Sequence, residues 1–182
     1  MATETATTTS WVIDPTHSEI QFKVKHLVIS TVTGSFTQYE GQVESVGEDF
    51  TDAKISFSAD ISSITTGNEQ RDGHLKSADF FDAESFPKLT FTSTNLTKTG
   101  DDTYNLTGDL TIRGTTKPIT LKVEHGGIMQ DFYGQTKAGF EAVGTIKRKE
   151  FGLTWDGVTE AGGVVVSDDV KLVLNIQLTK QA

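Results

Sequence analysis

Apolar side chains recur at every second position through most of the chain. Ile20, Phe22 and Val24 alternate with Gln21, Lys23 and Lys25, and Ile55, Phe57, Ala59 and Ile61 alternate with serines and Asp60. Leu106, Gly108, Leu110 and Ile112 alternate with threonines and Asp109. Ile119, Leu121 and Val123 follow Pro118, Ala138 to Ile146 forms a further stripe, and Val170, Leu172, Leu174, Ile176 and Leu178 close the chain. A period of two puts each set on one face of a β-strand, and the threonine and valine content favours strands. "TVTGS", "TKTGDD" and "EHGG" read as hairpin turns. The pattern predicts an all-β domain of about eight strands with short connections, an antiparallel barrel or sandwich. It shows no repeat and no linker, so residues 11–182 read as one domain behind a threonine-rich tail, residues 1–10, expected to be disordered.

One stretch breaks the alternation: "GNEQRDGHLKSADFFDAESFPKLTF", Gly67 to Phe91. Thr66 followed by Glu69 has the spacing of a capping box, which predicts a short helix over 67–77 with Gly73 as its weak point. "ADFFDAESFP" then reads as irregular and aromatic up to Pro87. A single helical crossover in a β protein suits the cover of a barrel mouth, with Phe80, Phe81 and Phe86 sealing that end.

Composition narrows the chemistry. The chain has 182 residues and no cysteine, which excludes disulfides, thiol catalysis and thiolate metal sites. A formal net charge of −9 argues against nucleic acid and anionic membrane as partners. "MATETATTTSW" has neither the basic nor the apolar region of a signal peptide, and no apolar run reaches the length of a membrane-spanning helix. The chain reads as soluble and cytoplasmic, or as a periplasmic mature form whose leader was removed.

Candidate reactive groups are sparse. His17, His26, His74 and His125 make no metal-binding spacing, and no nucleotide or phosphate motif occurs, so no cofactor is implied. His17 and Ser18 adjoin, but strand neighbours face opposite ways and cannot form a dyad. Asn95 and Asn105 head N-L-T sequons within strands. The glycine-rich run Asp156–Asp169 reads as a hairpin loop. The three arginines are placed selectively: Arg71 in the odd segment, and Arg113 and Arg148 near strand ends. Arg71, with Asp72, Asp79 and Asp82 nearby, reads either as a clamp holding the helix to carboxylates or, with Asp72 and His74, as a polar mouth for a ligand head group. The same three residues are the only candidates for an enzyme, as anion clamp and general acid–base pair.

"WVIDPTHSEIQFKVKHL", "VTGSF", "ISSITTGNEQRDGHLKSADFFDAESFPKLTFTST", "YNLTGDLTIRGTTKPITLKVE" and "IKRKEFGLTW" follow, in order, the blocks of the YceI-like, polyisoprenoid-binding family, and the resemblance runs from Trp11 to Leu178. It implies an extended eight-stranded antiparallel barrel of lipocalin-like shape, a helix over one end, and an apolar tunnel for a long-chain isoprenoid or fatty amide. It also implies a homodimer and no catalytic residues. Two features depart from related patterns. Many family members carry a signal peptide, and this chain shows none; true lipocalins have a G-x-W motif, whereas Thr9 and Ser10 precede Trp11.

The stripes themselves mix large and very small residues, where a solid core would use branched aliphatic ones. An eight-stranded barrel is about wide enough to fill with side chains or to hold one ligand. The tunnel wall is expected to include Phe22, Val24, Phe36, Phe57, Ala59, Phe80, Phe81, Phe91, Gly108, Leu110, Ile112, Phe140, Ala142 and Trp155. At about 0.8 kcal/mol per buried CH₂, micromolar binding after the cost of association needs roughly 15–29 carbons, or three to six isoprene units. The expected partner is therefore a polyprenyl chain, a quinone tail or a similar amphiphilic lipid.

Overall fold

The computed structural model describes residues 8–26, 29–46, 49–154 and 166–181. Eleven β segments and one helix follow in order: β1 (Thr8–Ile13), β2 (Glu19–His26), β3 (Ser30–Phe36), β4 (Tyr39–Val46), β5 (Asp49–Asp60), β6 (Ile64–Thr65), α1 (Glu69–Lys76), β7 (Lys88–Lys98), β8 (Thr103–Ile112), β9 (Thr115–Gln130), β10 (Thr136–Lys147) and β11 (Val166–Lys180). Every pairing is antiparallel. β1 and β2 both lie along β11, β4 and β3 lie along β1 and β2, and β5 and β6 lie along β4 and β3. These six segments are thus three long strands, each interrupted once. With β7 to β11 they make an eight-stranded meander that closes where Ile13 pairs with Leu178. Closure removes the exposed edges of an open sheet.

The interruptions form a band across neighbouring strands: Asp14–Ser18, Thr37–Gln38 and the 3₁₀ turn Ile61–Ser63. Groups freed from the ladder find local partners, as buried polar groups must. Asp60 N–H donates to the Gln38 carbonyl at 2.9 Å, and the Tyr39 hydroxyl donates to the Ser18 carbonyl at 2.8 Å. Ser18 Oγ accepts from Gln177 N at 2.8 Å. Lys137 is buried here, its ammonium 3.1 Å from Asp14 Oδ2 and 2.6 Å from Thr179 Oγ1. His17 Nδ1 lies 2.8 Å from the same Asp14 oxygen. Burial pushes the Asp14 carboxyl up, but hydrogen bonds from His17, Thr16 and Lys137 outweigh it and hold the group well below the usual carboxylate range.

Three local readings of the sequence are corrected. β1 begins at Thr8, so the first strand reaches into the segment assigned to the tail. "TVTGS" lies inside β3 and "EHGG" inside β9; of the three turn signals only "TKTGDD" joins two strands. Gly34 in the first serves packing, whereas Gly127 in the second supplies a backbone at φ 120°. Gly34 sits under the Phe22 ring, where a Cβ would stand 2.2 Å from ring Cζ. Gly126 and Gly127 face Gly139 across a register shift between β9 and β10, as glycines at bulges do.

Candidate functional site

The barrel interior holds an apolar cavity of about 240 Å³, larger than the roughly 150 Å³ that admits benzene in an engineered core. It is elongated: on β11 its wall runs from Val166 to Leu178, roughly 40 Å of strand at about 3.3 Å per residue. Phe22, Phe57, Leu172, Leu174 and Ile176 pack against the core and line the cavity yet are only partly buried, because one side of each borders open space.

Of the residues expected in the wall, Phe22, Val24, Phe36, Phe57, Phe80, Phe81, Phe91, Leu110, Ile112, Phe140 and Ala142 line the cavity. Ala59 and Gly108 do not. Ala59 is fully buried in the core. Gly108 is covered by Phe91, so its missing side chain makes room for a ring and not for a ligand. Gly144 likewise lies under Leu121. Trp155 is outside the described residues. The wall also includes much of β9 and β11, with Ile119, Leu121, Leu172 and Leu174, positions the same alternation marks beyond those expected above.

Arg148 is a further wall residue not expected from the sequence. This residue is 3% exposed and borders the cavity. Nε donates to the Ser167 carbonyl at 2.9 Å, Nη1 to Leu153 at 2.6 Å and Nη2 to Val166 at 3.1 Å. Arg148 thereby ties together the two flanks of the 154–165 connection, and its guanidinium stands 6.0 Å from the centre of the Phe80 ring, within cation–π range. The parity of Ile146, two positions earlier, marks it as inward. Arg113 supports the same end. It adopts φ 51° beside Gly114 at φ 74° in the β8–β9 turn, a backbone that favours Asn-Gly, and its Nη1 donates to the carbonyls of Phe80 and Gly152.

The helix covers this end but differs from expectation. It spans Glu69–Lys76, and its cap is Asn68, whose side chain accepts from Arg71 N at 3.0 Å. Gly67 at φ 80° turns the chain into that position, so Thr66 stands outside the cap. The Thr66 hydroxyl donates to Asp72 Oδ1 at 2.6 Å and accepts from Arg71 Nε at 2.8 Å. Arg71 also donates to the Thr66 carbonyl at 2.9 Å, and among the described residues no carboxylate forms an ion pair with it. The expected Arg71–carboxylate clamp is replaced by this local one. His74 Nε2 lies 2.9 Å from Asp79. Arg71, Asp72 and His74 do not line the cavity; Leu75, Phe80 and Phe81 are what the cap presents inward, and His74 meets the Phe80 ring edge-on with centroids 5.1 Å apart. Phe86 covers Gly114 instead of the cavity.

The opposite end is closed by rings. Phe140 stacks on His125 with centroids 4.6 Å apart, Phe50 meets Phe140 edge-on at 4.8 Å, and Trp11 follows at 5.3 Å from Phe50. Trp11 Nε1 donates to Ser45 Oγ at 3.0 Å, which satisfies its buried polar atom.

Known proteins share this architecture. A YceI protein of Campylobacter jejuni is 34% identical and superposes with a TM-score of 0.74, over 87% of this chain and 90% of that one. The BcnA protein of Burkholderia cenocepacia gives 0.77 at 24% identity, over 91% and 98%. A polyisoprenoid-binding domain of Saccharophagus degradans gives 0.69 at 17% identity, over 94% and 98%. A UPF0312 protein of Staphylococcus aureus strain USA300 is 38% identical over 164 residues, 90% of this chain and 93% of that protein. The model of the YceI-like domain matches residues 11–178, which takes in the barrel, its cap and its closure strand, and the chain belongs to the YceI-like family.

Proposed function

We propose that this protein is a carrier that holds one long-chain apolar molecule, a polyisoprenoid, quinone tail or fatty amide, along the barrel axis. The observation that carries the reading is the elongated cavity whose wall is apolar apart from a few polar positions such as Arg148. Such a space dissolves hydrocarbon and gives a polar substrate little to bind. Arg71 and Asp72 are both engaged with Thr66 on the outer side of the cap, which favours carriage over catalysis at that cluster. The Saccharophagus domain, named as polyisoprenoid-binding, supports the same ligand class. The test is titration of delipidated protein with polyprenols of increasing length. Affinity should rise with chain length to the range of about 15–29 carbons; affinity indifferent to length would overturn the proposal.

A further inference from the structure

The β9–β10 hairpin ends in a turn that is held tightly and yet presents bare aromatic surface. Asp131 Oδ1 accepts from Tyr133 N and Gln135 N, each at 2.9 Å, and Asp131 N–H donates to the Gln135 carbonyl at 2.9 Å. Despite this bracing, Phe132 is 105% and Tyr133 90% exposed, with Met129 66% exposed beside them. Single exposed apolar residues are ordinary on a protein surface, but two adjacent rings on a braced turn form one contiguous apolar tip, the kind of surface that marks a contact site. Two rings bury at most about 150–250 Å² each, well short of the roughly 800 Å² per partner of a stable protein interface. They suit a shallow insertion instead: a phenyl ring and a phenol with one polar end match the boundary between acyl chains and headgroups.

We propose that the Phe132–Tyr133 tip docks the protein on the headgroup region of a zwitterionic bilayer. The net charge of −9 selects against an anionic surface. The hairpin also connects that surface to the cavity, since Phe140, a few residues along β10 from the turn, lines the cavity wall. The proposal rests on the carrier reading in one respect: a long-chain cargo is exchanged with a lipid phase.

The test is flotation of the full chain with phosphatidylcholine vesicles, comparing wild type with Phe132→Ser/Tyr133→Ser. Both side chains are exposed, so the thermal midpoint should not move. The double variant should partition at least about tenfold more weakly, and anionic lipid should weaken wild-type binding at low salt. Absence of wild-type binding, or equal binding by both proteins, overturns the proposal. So does a wild-type dimer in sedimentation velocity that the double variant dissolves, because the tip would then be a contact between copies. Cargo is read separately, by mass spectrometry in vesicle-free solution. Docking without cargo would overturn the carrier reading alone, and cargo without docking would overturn this proposal alone.

Discussion

The ring of Phe91 lies over Gly108 so closely that a Cβ on Gly108 would stand 2.4 Å from ring Cζ and 2.6 Å from the Thr92 carbonyl oxygen. The ring can shift, but the backbone oxygen cannot. Gly108→Ala should therefore destabilise the protein by about 1–3 kcal/mol. At Gly144 the nearest atom is Leu121 Cδ2 at 2.4 Å, the far end of a flexible side chain, and the backbone oxygen of Thr120 stands farther off at 3.3 Å, so Gly144→Ala should cost less. A Cβ on Gly139 meets nothing within 4 Å, and Gly139→Ala should be neutral or stabilising by up to about 1 kcal/mol. Denaturant midpoints of the three variants check the order, which fails if Gly108→Ala is the mildest.

Such pairs show where the sequence was readable and where it was not. Period-two alternation follows from strand geometry, so the barrel and most of its inward face were legible. Whether a small inward residue leaves space or receives a neighbour's ring depends on the register between strands, which no single stretch contains. Gly34 therefore read as a turn and Gly108 as ligand space. The breaks at Asp14–Ser18 and Thr37–Gln38 are stabilised by partners far along the chain, such as Gln177 and Ser63. The helix was legible, but Asn68 displaced Thr66 as its cap because Gly67 sets the chain's entry. Arg148 is hidden because a charged residue holds an inward position that the run of apolar residues does not mark.

The two ends of the cap region should respond unequally to loss of an arginine. Arg71 is exposed and holds only Thr66 and the first turn, so Arg71→Ala should cost less than about 1 kcal/mol. Arg148→Met buries a side chain of similar size but strands the carbonyls of Leu153, Val166 and Ser167, each worth about 1–3 kcal/mol if left unpaired. Thermal midpoints should fall far more for Arg148→Met; a larger fall for Arg71→Ala would contradict the assignment.

The Asp14 carboxylate makes acid stability predictable in sign. Its folded pKa is depressed, so its contribution is present above the ordinary carboxylate pKa of about 3.9 and is lost as pH falls from there toward the folded value. Asp14→Asn should lower stability at neutral pH, since Lys137 then keeps no carboxylate partner at that site. It should also flatten the decline of the thermal midpoint below about pH 4. A variant whose midpoint declines as steeply as wild type in acid would show that Asp14 does not drive the loss.

Ala142 separates a cavity from a packed core. It lines the open space, so a ring introduced there occupies ligand volume instead of displacing neighbours. Ala142→Phe should keep most of the apo stability and lose affinity for long polyprenols, while ligands short enough to lie on one side of the block should suffer less. Calorimetry and titration on the same delipidated sample read both effects. A stability loss beyond the 1–3 kcal/mol typical of overpacking, with binding unchanged, would move the ligand path away from β10.

Whether the barrel carries a long-chain lipid is read by native mass spectrometry of the protein purified gently from cells. A carrier should show a mass excess that organic extraction removes, belonging to one chemically unaltered molecule with an apolar chain of about 15–29 carbons. Protein at its bare mass, which then also fails to take up polyprenol from solution, would contradict the carrier reading.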